Sequence, residues 1–151
     1  MQPDLTITRT YPVPRATVWR ACYEPEGLKQ WWGQPEDAVM PVCEVDFRVG
    51  GKLHMAIQRP GQEPLWFLSE YTEIRDAEHF ATVMHRSDAE RHILDTELWP
   101  ASTMSVTLSD VPEGTLLTAT QSGMLSPRAT LDDYRQGWTE TLERLGTYLA
   151  K

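Results

Sequence analysis

The chain's 151 residues carry 22 Asp and Glu against 14 Lys and Arg, a net charge of −8, and that balance argues against a phosphate-tracking surface and so against a nucleic-acid partner. Apolar residues make up 40% and charged residues 24%, which sets disorder aside and suits one folded domain over residues 1–151. Nothing approaches the ~18 consecutive apolar residues of a membrane span, and Met1 to Thr6 has neither the basic nor the apolar region of a leader, so a cytoplasmic protein with no membrane partner is expected.

Leu5 to Tyr11 alternates and stops at Pro12, the pattern of a first strand. Pro14 opens a helical segment through Cys22 with Val13, Val18, Trp19 and Cys22 on its apolar side, and Pro25 begins a second short helix that ends near Trp31-Trp32-Gly33. Val42 to Val49 alternates apolar Val45, Phe47 and Val49 with Glu44, Asp46 and Arg48, and Gly50-Gly51 turns it into Lys52 to Gln58, which predicts a hairpin. Pro60-Gly61 leads into a strand over Leu65 to Ile74, and Phe80 to His85 forms the next. Arg86 to Pro100 is polar and without period, a loop with room for a short ordered piece. Thr103 to Leu108 and Thr115 to Gln121 flank the turn Asp110 to Gly114, a further hairpin. Leu131, Tyr134, Trp138, Leu142, Leu145 and Leu149 then recur at spacings of three and four, one face of a long helix capped by Thr130 with Asp133 and preceded by Pro127. Gly137 and Gly146 lie inside that helix at a cost of about 1 kcal/mol each, suggesting close approach of another backbone. An antiparallel meander followed by one amphipathic helix buries both when the sheet curls around the helix, an α+β arrangement.

Few residues carry recognisable chemistry. Cys22 and Cys43 stand in different elements with no metal-like partner spacing, so reduced structural thiols are expected. His54, His79, His85 and His92 are scattered without zinc or iron spacing, no cofactor motif is present, and neither metal nor cofactor is expected. Ser69, Ser102, Ser105 and Ser122 lack a nucleophile-elbow setting, and no glycine-rich loop precedes a helix.

Arg9 to Pro14, Val18-Trp19, the Trp31-Trp32-Gly33 turn, Asp46 to Gly51, and Gly137-Trp138 followed by Leu142, Leu145 and Leu149 together resemble, over essentially the whole chain, bacterial proteins similar to the C-terminal domain of the activator of the ninety-kilodalton heat-shock protein's ATPase. That group lies in the START/Bet v-like helix-grip superfamily. The resemblance implies a curved antiparallel sheet of about seven strands gripping the last helix, two short helices after the first strand, and a cavity between sheet and helix. Members include carriers of apolar ligands, cyclases and aromatases, stress-related binding proteins and co-chaperone domains, so the fold leaves the activity open. One departure is Ser69, where the family often has glycine, a change expected to narrow the cavity locally.

Strand alternation offers Phe47, Met55, Phe67, Tyr71, Met84 and Met104 as cavity walls facing Tyr134, Trp138 and Leu142, with Trp31 at the mouth; the alternative is that these side chains fill a solid core. Six methionines suit adaptable packing in either case. Asp46 and Arg48 share one strand face; on an exposed face they form an ion pair of about 0–1 kcal/mol, and on the cavity face Arg48 becomes an anion-binding contact, the register deciding which. The first reading is a binder of an apolar or aromatic small molecule without catalysis, the ligand oriented by one buried polar group, Tyr71 or Arg48. The second is a chaperone-associated interaction module, with Trp99 in the polar loop as anchor. The third is a cyclase or dehydratase using His85, Glu70 or Asp46 as acid or base. A monomer or weak homodimer, pairing through a strand edge or the N-terminal helices, is compatible with each.

Overall fold

The computed structural model describes residues 5–32, 37–96, 100–123 and 130–151. Strand β1 (Leu5–Tyr11) is followed by helices α1 (Arg15–Tyr23) and α2 (Pro25–Trp31), then by β2 (Val39–Val45), β3 (Lys52–Gln58), β4 (Leu65–Arg75), β5 (His79–Ser87), β6 (Ser102–Val111) and β7 (Gly114–Gly123), and the chain closes with α3 (Leu131–Leu149). All seven strands form one antiparallel sheet in the order β1-β7-β6-β5-β4-β3-β2. After the two helices the meander runs β2 to β7 without a crossover, and β1 joins β7 at the far side. This is the α+β helix-grip arrangement, a curled sheet around the last helix.

Helix α3 begins where the sequence signals it. The Thr130 side chain accepts from the Asp133 backbone N–H while the Asp133 carboxylate accepts from the Thr130 N–H, so two amides at the helix start are satisfied reciprocally. The two halves of its apolar stripe meet different surroundings. Leu142 and Leu145 are fully buried with Thr141 beside them, whereas Tyr134 and Trp138 are half-buried and Leu131 is exposed. The Tyr11 hydroxyl, buried, donates to the Leu142 carbonyl at 2.7 Å and clamps the buried half to β1. Backbone close to α3 comes from α2, β1 and α1.

No neighbouring backbone approaches the two helix glycines closely enough to require them. A Cβ at Gly146 would meet only the Tyr11 ring, at 3.4 Å, an ordinary contact, and one at Gly137 would meet nothing within 4 Å. Close approach instead occurs at Gly27, where a Cβ would lie 3.0 Å from the Ala21 carbonyl oxygen and so press α2 away from α1.

The strand expected over residues 42–49 is displaced. β2 runs from Val39 to Val45, and from Asp46 the chain folds back: Asp46 N–H donates to the Lys52 carbonyl, Arg48 N–H to the Asp46 carbonyl and Gly51 N–H to the Arg48 carbonyl. A Cβ at Gly51 would stand 2.1 Å from the Asp46 carbonyl oxygen, so the tight path requires glycine there. The alternation of Val45, Phe47 and Val49 therefore imitates a strand in what is partly a connection. Within β2 the register shifts between Val39 and Val42, around Pro41.

The core is one cluster between the concave face of the sheet, α3 and the two short helices, including Trp19, Leu28, Trp31, Leu53, Tyr71 and Phe80. On the opposite face, the segment after β5 folds back over β3 and β4. Ser87 bridges Ile93, the His54 ring contacts the Asp88 carbonyl at 2.9 Å, and the same ring stacks on Trp66 at 4.9 Å between centroids. The stretch expected to be a loop with room for a short ordered piece is thus organised over residues 86–96.

Candidate ligand cavity

Between the strands and the first half of α3 lies a cavity of about 310 Å³, at the lower end of the range for small-molecule sites. Met55 and Ile57 of β3, Phe67 of β4, Met84 of β5 and Met104 of β6 supply its sheet wall. Tyr134, Gly137, Trp138 and Thr141 of α3 supply the opposite wall, and Trp32, just after α2, closes one side. Exposed Asp133 and Gly137 mark the rim. The alternation of strand side chains brings methionines from β3, β5 and β6 to one concave face, with Phe67 of β4 among them, and the 3.6-residue period aligns Tyr134, Trp138 and Thr141 above them.

A polar ladder crosses the wall. The Trp138 indole N–H donates to Gln121 Oε1 at 2.9 Å, and Gln121 Nε2 donates to Ser102 Oγ at 3.3 Å, tying α3 to β7 and β6 beside the cavity. Trp32 meets Trp138 edge-on at 5.9 Å, so the two rings brace each other at the mouth. Gln121 and Ser102 carry no strong sequence signal, because polar residues at alternate strand positions usually mark a solvent face.

Of the residues proposed from sequence, the structure brings Met55, Phe67, Met84, Met104, Tyr134 and Trp138 around this one space. It places five elsewhere. Trp31 is fully buried and its indole N–H donates to the Ala21 carbonyl at 2.9 Å, joining α2 to α1, so its neighbour Trp32 takes the place at the mouth. Phe47 stacks on Tyr23 at 4.5 Å and meets Trp19, Tyr71 and Phe80 edge-on, an aromatic cluster that closes the core beneath the 46–51 connection. Tyr71 and Leu142 are core residues, each 1% exposed. Arg48 leaves the concave face altogether. It lies in the connection and pairs with Asp46 at 2.8 Å, with both side chains largely exposed. An ion pair so placed is worth at most about 1 kcal/mol.

The acid–base candidates are likewise outside the cavity. Glu70 is exposed and pairs with Lys52 at 2.8 Å, which holds its carboxyl below the usual range. His85 Nδ1 lies 2.6 Å from Asp95 Oδ2, and the other Asp95 oxygen accepts from the Arg86 backbone N–H. Asp46 is the partner of Arg48. Trp99 falls outside the described residues, as do Gly33 and Pro127.

Both cysteines are free thiols. Burial pushes Cys22 up to about 12 and Cys43 up to about 11, so neither offers a reactive thiolate at neutral pH. Asp88, Glu90 and His92 come within reach of one another at the surface, held by hydrogen bonds from the Glu90 and His92 backbone N–H groups to Asp88 Oδ1.

A family model described as Activator of Hsp90 ATPase homolog 1-like protein matches residues 12–150. The chain belongs to that family. Its fold is similar to those of other Activator of Hsp90 ATPase homolog 1-like and uncharacterised bacterial proteins. A protein of Chromobacterium violaceum is 23% identical over 98% of each chain with a TM-score of 0.82. One from Nitrosomonas europaea is 24% identical, covering 97% of this chain and 94% of its own, at 0.78. The AHSA1-like protein from Aeromonas hydrophila is 18% identical over 98% and 92%, at 0.79. Identities this low speak to the fold. No curated protein matches the chain. Among the described residues, no helix is long and apolar enough to cross a membrane.

Proposed function

We propose that this member of the Activator of Hsp90 ATPase homolog 1-like family binds an apolar or aromatic small molecule between the sheet and α3. The observation that carries the reading is the cavity of about 310 Å³, walled by three methionines and by the rings of Phe67, Tyr134, Trp138 and Trp32. Thioethers and aromatic faces accept apolar partners of varied outline, which suits a binder more than a site built for one reaction. Among the described residues, Asp133 is the only acidic or basic side chain on the wall, and it sits at the exposed rim. Titration with the uncharged fluorophore N-phenyl-1-naphthylamine tests the proposal. Saturable binding is expected, weakened at least tenfold in Trp138→Ala and in Met84→Ala with folding retained. Equal binding by wild type and both variants would place the probe elsewhere and sink the reading.

A second reading, a chaperone-associated module, draws on the segment after β5. Ile93 is 57% and Leu94 47% exposed there, among acidic residues. It predicts that the protein alters the ATPase rate of the cognate chaperone and that Ile93→Asp abolishes the effect; an unchanged rate removes it.

A further inference from the structure

Beneath the main cavity is a second space of about 10 Å³, close to the volume one oxygen-sized group needs. Thr82, Trp32 and Met104 line both spaces, so Thr82 stands between the large one and the small one. The floor of the small space carries hydroxyls. Ser69 and Thr82 are each 2% exposed and Tyr71 is 1% exposed, and Thr82 lies directly across the β4–β5 ladder from Tyr71. None of the three side-chain hydroxyls has a hydrogen-bond partner among the described residues. Other hydroxyls in the chain do find partners: Thr72 donates to the Ala81 carbonyl, Thr115 to the Val13 carbonyl and Tyr11 to the Leu142 carbonyl. Buried polar groups are nearly always hydrogen-bonded, because an unpaired one keeps the full penalty of leaving water. Three together at the inner end of an apolar cavity are arranged to receive a polar atom from outside the chain.

The charge of that atom follows from its surroundings. The remaining walls of the small space are apolar, such as Leu28, Leu53 and Phe80, together with Cys22. Among the described residues, no Lys, Arg or His lines it. Burial raises both the Cys22 thiol and the Tyr71 phenol above their ordinary ranges, so both are neutral donors at physiological pH. A carboxylate there would be a desolvated anion without a counter-ion. Arg86 lies over the Phe67 ring at 5.6 Å and donates to the Trp66 carbonyl; it lines neither space.

Resting on the cavity-binding reading above, we propose that the inner end receives a single uncharged oxygen, so that the ligands are neutral molecules with an apolar body and a terminal hydroxyl or carbonyl. The body occupies the methionine-lined space, and the oxygen is held by Thr82 with Tyr71 or Ser69. The site discriminates against fatty or aromatic carboxylates of the same body.

Displacement of N-phenyl-1-naphthylamine at pH 7 by naphthalene, 2-naphthol and 2-naphthoate, which share one ring body, separates the possibilities. One added hydrogen bond predicts that 2-naphthol displaces the probe at roughly tenfold lower concentration than naphthalene. Naphthoate is expected to be weaker than either. Thr82→Val and Tyr71→Phe should each shrink the naphthol preference while leaving naphthalene unchanged, and Thr82→Ser, which keeps the hydroxyl, should retain it. Thermal unfolding adds a readout without ligand: removing an unpaired buried hydroxyl leaves the midpoint unchanged or raises it. A preference that survives in both hydroxyl-free variants overturns the inference. So does naphthoate binding as tightly as naphthol, above all if Arg86→Gln abolishes it. Trp138-dependent probe binding with no naphthol preference defeats this inference alone, whereas no probe binding at all defeats the cavity reading as well.

Discussion

Single side chains decide how α3 is held and how it is held off. The Tyr11 hydroxyl reaches the Leu142 carbonyl from a buried position, and Tyr11→Phe removes that bond while keeping the ring against Gly146. A loss of about 1 kcal/mol is expected, read as a lower urea midpoint with an unchanged slope. At Gly137 the space around an added Cβ is open and the residue is exposed within a helix, so Gly137→Ala should stabilise by about 0.5–1 kcal/mol, a rise in Tm of roughly 1–4 °C. A lower Tm would mean that the glycine serves a contact at the cavity rim. Adjacent residues also show where sequence reading fails. Trp31 and Trp32 look alike in the sequence, yet one is 1% exposed in the core and the other lines the cavity. The helix ends between them, and a period inferred for a seven-residue helix cannot fix which ring turns inward.

At the level of elements, α3 was legible because its cap, period and length agree with one another, and β1, α2 and β3 begin or end at prolines and glycines that leave little choice. The displaced β2 was not legible, because alternation is necessary for a strand but does not require one; residues 46–51 are folded back by the local bond to Lys52 and fixed by bonds to Tyr71 of β4, a contact remote in sequence. The segment from Asp88 to His92 was equally hidden, since it is organised by local hydrogen bonds and has no apolar period. Its stability should depend on pH. The Asp88 carboxyl is held below its ordinary 3.8 by hydrogen bonds from the His92 backbone and then its ring, and His92 is raised above 6.5 by its bond to Asp88. The depressed carboxyl contributes above its unfolded value and loses this as pH falls through its lowered folded value. The raised imidazole contributes fully below 6.5 and loses this as pH rises through its higher folded value. Both contributions are therefore complete in mildly acidic solution. An NMR titration should place the His92 ring above 6.5, and Asp88→Asn should bring it back toward that value; an unmoved ring would show that the pair is not formed.

Across the whole molecule, one helix serves two purposes along its length. Its second half completes the core, and Leu145→Ala should cost about 2–5 kcal/mol. Its first half roofs the cavity, where Trp138 is half-buried, so Trp138→Ala should cost less than the 3–5 kcal/mol of a fully packed tryptophan. Chemical denaturation of the two variants checks the order, and its reversal would mean that Trp138 is solid core. The fold was readable from the sequence because every element must bury one face, and few arrangements bury all of them. The cavity was readable only in part, since its methionines and rings are the residues that a filled core would also use. The sheet itself is open, with β1 and β2 as its edges. An uncovered edge is a template on which a second chain can add, the route to domain swapping and aggregation. At β2, Pro41 has no N–H to offer and the register shift around it throws the hydrogen-bonding repeat out of step. A strand arriving there finds no unbroken ladder, so a sheet that must stay open to wrap its helix is protected along this margin from growing into its neighbours.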